Sequence, residues 1–136
     1  MPNSLTSPSI RSLLDRLFQA AAGDDTRRPG LAECHPDGFA AASAREQADA
    51  FAEMYIPVSP EGGRLLYTLI RASRPSTVVE FGTSFGISTI HLGAAVRDNG
   101  AGRVLSTELN AAKVARARAN ISEAGLADGL EISCRL

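Results

Sequence analysis

The sequence predicts an α/β fold, in which parallel strands alternate with flanking helices and a helical region precedes them. Three observations carry that expectation. The run Val78-Val79-Glu80-Phe81 is β-forming and mostly apolar, leads into two glycines four apart, Gly82 and Gly86, and is followed by Ile87, Ile90, His91, Ala94 and Ala95 at helical spacing. Two further strand-like runs, Val104 to Thr107 and Leu130 onward, each follow a helical stretch. Upstream, two amphipathic helical patterns precede the sheet, so the chain divides into a helical cap region, 1–58, and a sheet-bearing region, 59–136.

Taken in order, Ser7 is placed to cap a first helix with Pro8 at its first position, and Ile10, Leu13, Leu14, Leu17, Phe18 and Ala21 follow the helical stripe without a miss. That stripe must cover the main domain or a second subunit. Gly23 to Gly30, rich in Gly, Asp, Arg and Pro, reads as an exposed linker. A capping box, Ser43-x-x-Glu46, starts a second helix, with Ala44, Ala48, Phe51, Ala52 and Tyr55 on one face. Pro57 and Pro60 then punctuate an extended link. Ser59 and Pro60 cap a third helix, whose buried face is expected to be Leu65, Leu66, Leu69 and Ile70, and which ends before Pro75.

After the glycine turn and its helix, Gly100-Ala101-Gly102 makes a break, and the strand Val104-Leu105-Ser106-Thr107 ends on Glu108. Asn110 caps a long helix with Val114, Ala117, Ile121 and Ala124 inward and Lys113, Arg116, Arg118 and Asn120 outward, stopped by Gly125. Leu130, Ile132, Cys134 and Leu136 alternate with polar residues, as in a third strand near a sheet edge.

Composition excludes several classes of function. With 136 residues, 44% of them hydrophobic, the chain can bury a core without disulfides or metal. A net charge of −1 with no basic stripe gives no electrostatic footprint for nucleic acid. No charged start leads into an apolar run, and no stretch nears eighteen consecutive apolar residues, so the expectation is a cytoplasmic chain that does not enter a membrane. Arg27-Arg28 precedes Pro29-Gly30 rather than an apolar stretch and is no export signal. Cys34 and Cys134 lie far apart with no C-x-x-C, and Cys34-His35 has no second ligand pair, so no metal site is expected. His91, on the apolar stripe of its helix, is expected to be a packed, hydrogen-bonded residue.

The chemistry centres on the glycine turn, which exposes backbone N–H groups at a helix start and lets a ligand approach where no Cβ stands. A dinucleotide fingerprint needs glycine where Ser84 and Ile87 stand, which disfavours NAD and FAD. A P-loop needs a lysine, and none lies between Val78 and Ile90. A nucleoside ligand without phosphates remains. In a right-handed βαβ unit the carboxylate at the end of the second strand, Glu108, projects over the same crevice.

Glu80-x-Gly82-x-x-x-Gly86 resembles the first motif of class I S-adenosylmethionine (SAM) methyltransferases. The longer ordered set, Ser59-Pro60-Glu61-Gly62-Gly63-Arg64-Leu65-Leu66, then Val79-Glu80-Phe81-Gly82-Thr83 and Gly86-Ile87-Ser88-Thr89, is similar to small-molecule O-methyltransferases related to the catechol and caffeoyl-CoA enzymes, over residues 55 to 132. The resemblance implies the N-terminal half of a Rossmann-like SAM-methyltransferase fold. It implies Gly82, Thr83, Ser84 and Gly86 at the cofactor's approach, Glu80 near the methionine ammonium, Ser88 near its carboxylate and Glu108 on the ribose hydroxyls. Glu61 and Gly62 would lie beside cofactor and acceptor. Catalytic groups, any divalent metal ligands and the acid beside the adenine are expected in a second half, since the sequence stops inside the third strand, and the chain is expected to be inactive alone. Its implied partner is a small-molecule acceptor, with a homodimer formed through the N-terminal helices or an exposed sheet edge. The readings set against this one are a non-catalytic dimerisation protein with a vestigial loop and an NAD-dependent reductase.

Overall fold

The structure is a computed structural model that describes residues 3–27 and 35–134. Cys34, residues 28–30 of the expected linker, and Arg135 and Leu136 at the end of the expected third strand lie outside the described residues.

The predicted capping residues all act as caps. The Ser7 side chain accepts from the N–H of Ile10 to start α1, Pro8–Ala21, and Ser43 and Glu46 form the reciprocal capping box of α3, Ala44–Ala50. Ser59 starts α4, Pro60–Ser73, by accepting from the N–H of Gly62. Between α1 and α3 the structure departs from an exposed linker. Asp24–Arg27 form a helical turn, α2, and the Asp24 carboxylate accepts from the N–H groups of Tyr55 at 2.9 Å and Ile56 at 2.8 Å. Two charge-assisted bonds tie down a stretch whose polarity alone reads as solvated. Helix α3 also stops short of Tyr55, and Phe51, at its end, packs edge-on against Phe39.

The sheet has three parallel strands, β1 (Thr77–Phe81), β2 (Arg103–Thr107) and β3 (Leu130–Ser133), in the order β1-β2-β3. Its register pairs Val79 with Leu105 and Ser106 with Ile132. Helix α5, Ile87–Asn99, connects β1 to β2, and α6, Ala111–Glu123, connects β2 to β3. Val104, Ser106 and Ile132 point into these helices and are buried. The near-continuous apolar run in β1 predicts burial on both faces, but Val79 and Phe81 are 57% and 75% exposed. Strand alternation sends them to the face opposite α5 and α6, where their side chains are left open.

Helix α1 lays Ile10, Leu13, Leu14 and Leu17 over α5 and α6, where they join Ile90, Ala94, Val114, Ala117 and Ile121 in one core. The apolar stripe of α1 therefore finds its cover within the chain. Helix α4 packs on α5 through Leu66 and Ile70, while Leu65 and Leu69 remain more than half exposed. The expected four-leucine face is thus halved, because 65 and 69 sit about 100° round the helix from 66 and 70. The two helices meet most closely at Gly63, where a Cβ would stand 2.6 Å from the ring of His91. His91 is the packed residue its stripe position predicts, buried with Nδ1 hydrogen-bonded to the Ile87 carbonyl at 2.8 Å. Lys113 corrects its expected outward placement. It is 5% exposed, with Nζ 5.5 Å from the centre of the Phe85 ring.

Candidate functional site

Strand β1 ends at Phe81, and the chain turns through Gly82, at φ +89°, into a loop that closes on Gly86, also at +89°. A side chain at these angles would be strained. The two glycines differ in surroundings. A Cβ at Gly82 would meet nothing within 4 Å, so the main chain lies open to an approaching ligand, whereas Gly86 faces Ala117 of α6 and lines neither of the two cavities that meet over the loop. The N–H groups of Gly82 and Thr83 both donate to the Thr107 carbonyl, at 2.9 and 3.0 Å. Thr83 is 1% exposed and shares a hydrogen bond with Ser106 Oγ. These contacts fix the loop to β2. Donors for a ligand come instead from the start of α5, where Gly86 offers no side-chain cap and the first-turn N–H groups have no intrahelical partner.

Two carboxylates flank the loop. Glu80 accepts from three hydroxyls, Ser88 Oγ and Thr89 Oγ1 at 2.6 Å and Ser106 Oγ at 2.5 Å, which together fix its direction. Glu108, just past β2 and 8% exposed, accepts from two backbone N–H groups, Ser84 at 2.9 Å on one oxygen and Asn110 at 2.9 Å on the other. A carboxylate has about four acceptor positions. Each oxygen of Glu108 therefore has room for a second donor, and Glu108 lines a cavity.

That cavity, about 340 Å³, is lined by Phe39, Gln47, Phe51, Lys113 and Glu108. A second cavity of about 380 Å³ is lined by Tyr55, Val58, Glu80, Thr83, Phe85 and Ser88. Ile56, Gly82 and Ser84 line both, so the two meet over the glycine loop. A larger cavity, about 590 Å³, lies between α1 and α4 beside His91 and Tyr67 and holds no residue of the glycine loop. Size is a poorer guide here than the convergence of loop and carboxylates.

Of the residues singled out from sequence, Glu80, Gly82, Thr83, Ser84, Ser88 and Glu108 come together around these two joined cavities, and Gly86 shapes the loop from behind. Glu61 and Gly62 line none of the cavities described. Glu61 pairs with Arg64 on the surface, and the Gly62 N–H belongs to the Ser59 cap. Sequence reasoning missed Ser106 and Thr89, whose hydroxyls hold Glu80, and Lys113 and Asp24. The alternation of β2 could have found Ser106, which shares the inward face with Val104; nothing local signals Asp24. Burial chiefly pushes the Lys113 ammonium below its ordinary pKa, against the pull of Glu108, Asp24 and Glu53. Among the described residues no three of His, Cys, Asp and Glu converge as a metal site, and no helix is long and apolar enough to cross a membrane.

Comparison with known proteins bears on this geometry. Residues 79–134 match a methyltransferase domain family. The chain is 35% identical over 96 residues to a catechol O-methyltransferase of Mycobacterium tuberculosis, an alignment covering 71% of this chain and 43% of that protein. It is 35% identical over 77 residues to a catechol O-methyltransferase of Niastella koreensis, covering 57% and 34% respectively. The chain thus spans less than half the length of these curated relatives. Among solved structures, the O-methyltransferase from Bacillus cereus in complex with SAH superposes with a TM-score of 0.57 at 26% identity, over 90% of this chain and 42% of that one.

Proposed function

We propose, for a chain that carries a segment of the methyltransferase domain in the Rossmann-like fold of the class I O-methyltransferases, that it binds SAM across the two joined cavities and serves O-methylation of a small molecule. The observation that carries this reading is the pair of Glu108 oxygens, each with one N–H partner and room for a second, at a cavity shared with the glycine loop. They suit the 2′- and 3′-hydroxyls of a ribose, one per oxygen.

The remaining residues divide the ligand between the cavities. Glu80, held by its three hydroxyls, offers the remaining capacity of its carboxylate to the ammonium of the methionine end. Ser88 serves the methionine carboxylate through its backbone N–H. Its hydroxyl proton already goes to Glu80, and a hydroxyl has only one to give. Gly82 leaves the main chain bare where the two cavities meet, and Ser84, whose N–H goes to Glu108, fixes the spacing between loop and ribose acid. Bound there, SAM supplies a methyl group on a sulfonium, electrophilic without help from an acid. What this chain contributes is orientation of that donor. Deprotonation of an acceptor hydroxyl asks for a further group beyond these donor-side residues, so the 136-residue chain by itself is proposed to bind SAM without turning over phenolic acceptors.

Thermal unfolding with added ligand tests the reading. SAM and SAH should each raise the melting temperature, by an amount that grows with the logarithm of ligand concentration over its dissociation constant, while NAD should not. A rise with NAD alone would replace this reading with that of a reductase.

A further inference from the structure

The cavity of about 590 Å³ between α1 and α4 shares no lining residue with the two that meet over the glycine loop. Its volume lies in the range of small-molecule sites. Leu14 and Phe18 line it from α1, Pro60 and Tyr67 from α4, and His91 from α5. The polar chemistry of these helices is one-sided. His91 is 3% exposed, and its Nδ1 carries the proton, because its partner there, the Ile87 carbonyl, can only accept. Burial lowers the pKa of the ring and so favours its neutral form. Nε2 is then an acceptor, and among the described residues it has no hydrogen-bond partner. Three ring atoms, Nε2 among them, stand 2.6 to 2.9 Å from where a Cβ on Gly63 would be, so the ring lies flat against α4 and meets the cavity with its edge. Tyr67 adds a second acceptor, since its hydroxyl proton goes to Asp98 at 2.7 Å and leaves only oxygen lone pairs. A buried acceptor without a donor costs free energy, so this lining favours a ligand that brings a proton. The rim has the opposite need. Arg64 is taken by Glu61 at 2.8 Å, but the exposed Arg11 has neither ion pair nor side-chain hydrogen bond among the described residues. Asp15, one turn along α1 and also at the cavity, limits the rim to a single anionic group.

We propose that this cavity is a second small-molecule site, for a planar aromatic acid bearing a phenolic hydroxyl. The hydroxyl donates to His91 Nε2, the rings lie between Leu14 and Phe18 on one side and Pro60 on the other, and the acid group meets Arg11. A ligand held in this way touches α1, α4 and α5 at once, and so fastens the N-terminal helix to the sheet-bearing region. The site stands apart from the methyl donor and does not depend on the SAM reading.

6-Hydroxy-2-naphthoate is a probe of this class, and calorimetry on the 136-residue chain reads its binding. It should bind and raise the melting temperature. 6-Methoxy-2-naphthoate keeps the rings and the acid but has no proton to give, and should bind about tenfold more weakly. 2-Naphthol lacks the acid and should bind about threefold more weakly than the hydroxy acid, the size of an exposed ion pair. Arg11→Ala should remove that threefold advantage and leave 2-naphthol unchanged, while His91→Leu should bring the hydroxy and methoxy acids to the same affinity. SAH in excess should leave the affinity of the hydroxy acid as it is. Three results would each overturn the proposal: no binding of the hydroxy acid, equal binding of the hydroxy and methoxy acids, or displacement of the hydroxy acid by SAH. All three are read on the wild-type chain, so a His91→Leu variant that failed to fold would not shield it.

Discussion

At Glu108 a single carboxylate ties the glycine loop to the start of α6 and, in the proposed reading, also holds the ribose, and separating the two makes a measurable prediction. Its position at the end of a strand beside the glycine turn was legible in sequence. Its bonds to the Ser84 and Asn110 N–H groups were not, because Ser84 reaches it only through the folded loop. Removing the carboxylate in Glu108→Ala should weaken SAM binding by about 1.5–3 kcal/mol, the range for a charged hydrogen bond. Stability should fall as well, since two N–H groups beside a residue only 8% exposed lose their acceptor. Glu108→Gln keeps part of each, so affinities by calorimetry should run wild type, Gln, Ala; equal values would remove Glu108 from the site. His91 gives a pH-dependence of known sign. Burial, opposed in part by the bond to the Ile87 carbonyl, pushes its pKa below the ordinary value. The unfolded chain therefore takes up a proton near pH 6.5 that the folded chain does not bind until lower pH. Stability attributable to His91 is fully present above pH 6.5 and is lost as pH falls through the lower folded value. Urea unfolding at pH 7.5 and 5 should show a larger loss for wild type than for His91→Gln; parallel losses would contradict a neutral buried ring.

Helices α1, α3, α4 and α6 were the most legible elements, since each announces itself by a capping residue: Ser7, Ser43, Ser59 and Asn110 all cap as their positions imply. What holds the elements to one another was less legible. Asp98, near the end of α5, was not singled out from the sequence. It accepts from the Ser4 N–H and the Tyr67 hydroxyl, both at 2.7 Å, and from the Ser4 hydroxyl, tying the chain's first turn and α4 to α5. Burial alone would raise its pKa, but the bonds from Ser4 and Tyr67 outweigh that and hold it below the usual carboxylate range. Burial, and then Asp98 itself, push the Tyr67 hydroxyl up to about 12. Asp98→Ala should cost about 2 kcal/mol, as expected for losing hydrogen bonds to a charged group. Limited proteolysis should then cut ahead of α1 sooner than in wild type; unchanged cleavage would show that the apolar stripe of α1 anchors this end unaided.

For the whole molecule, the parallel order of the sheet followed from the alternation of strands and helices, but the one-sided cover of β1 did not, because a run of apolar residues reads alike on a covered and an uncovered face. Val79 and Phe81 stand exposed there, with Leu65 and Leu69 also exposed on α4. Strand β1 is moreover an edge of the three-stranded sheet. An apolar face beside unpaired strand N–H and C=O groups is a template for pairing with another chain. The 136-residue chain should therefore associate with rising concentration in light scattering, and Val79→Lys with Phe81→Glu should reduce it; a wild type that stays monomeric throughout would show that this edge is tolerated by water.

The docking of α1 also bears on the order in which the molecule can be made. Its residues Ile10, Leu13, Leu14 and Leu17 are synthesised well before the surfaces that cover them, Ile90 and Ala94 of α5 and Val114, Ala117 and Ile121 of α6. Arg16 is paired across the same distance, with Glu123 at 2.7 Å. A growing chain thus carries an uncovered apolar helix until α5 and α6 have also left the ribosome, and closure of this core waits on α6 rather than on α1.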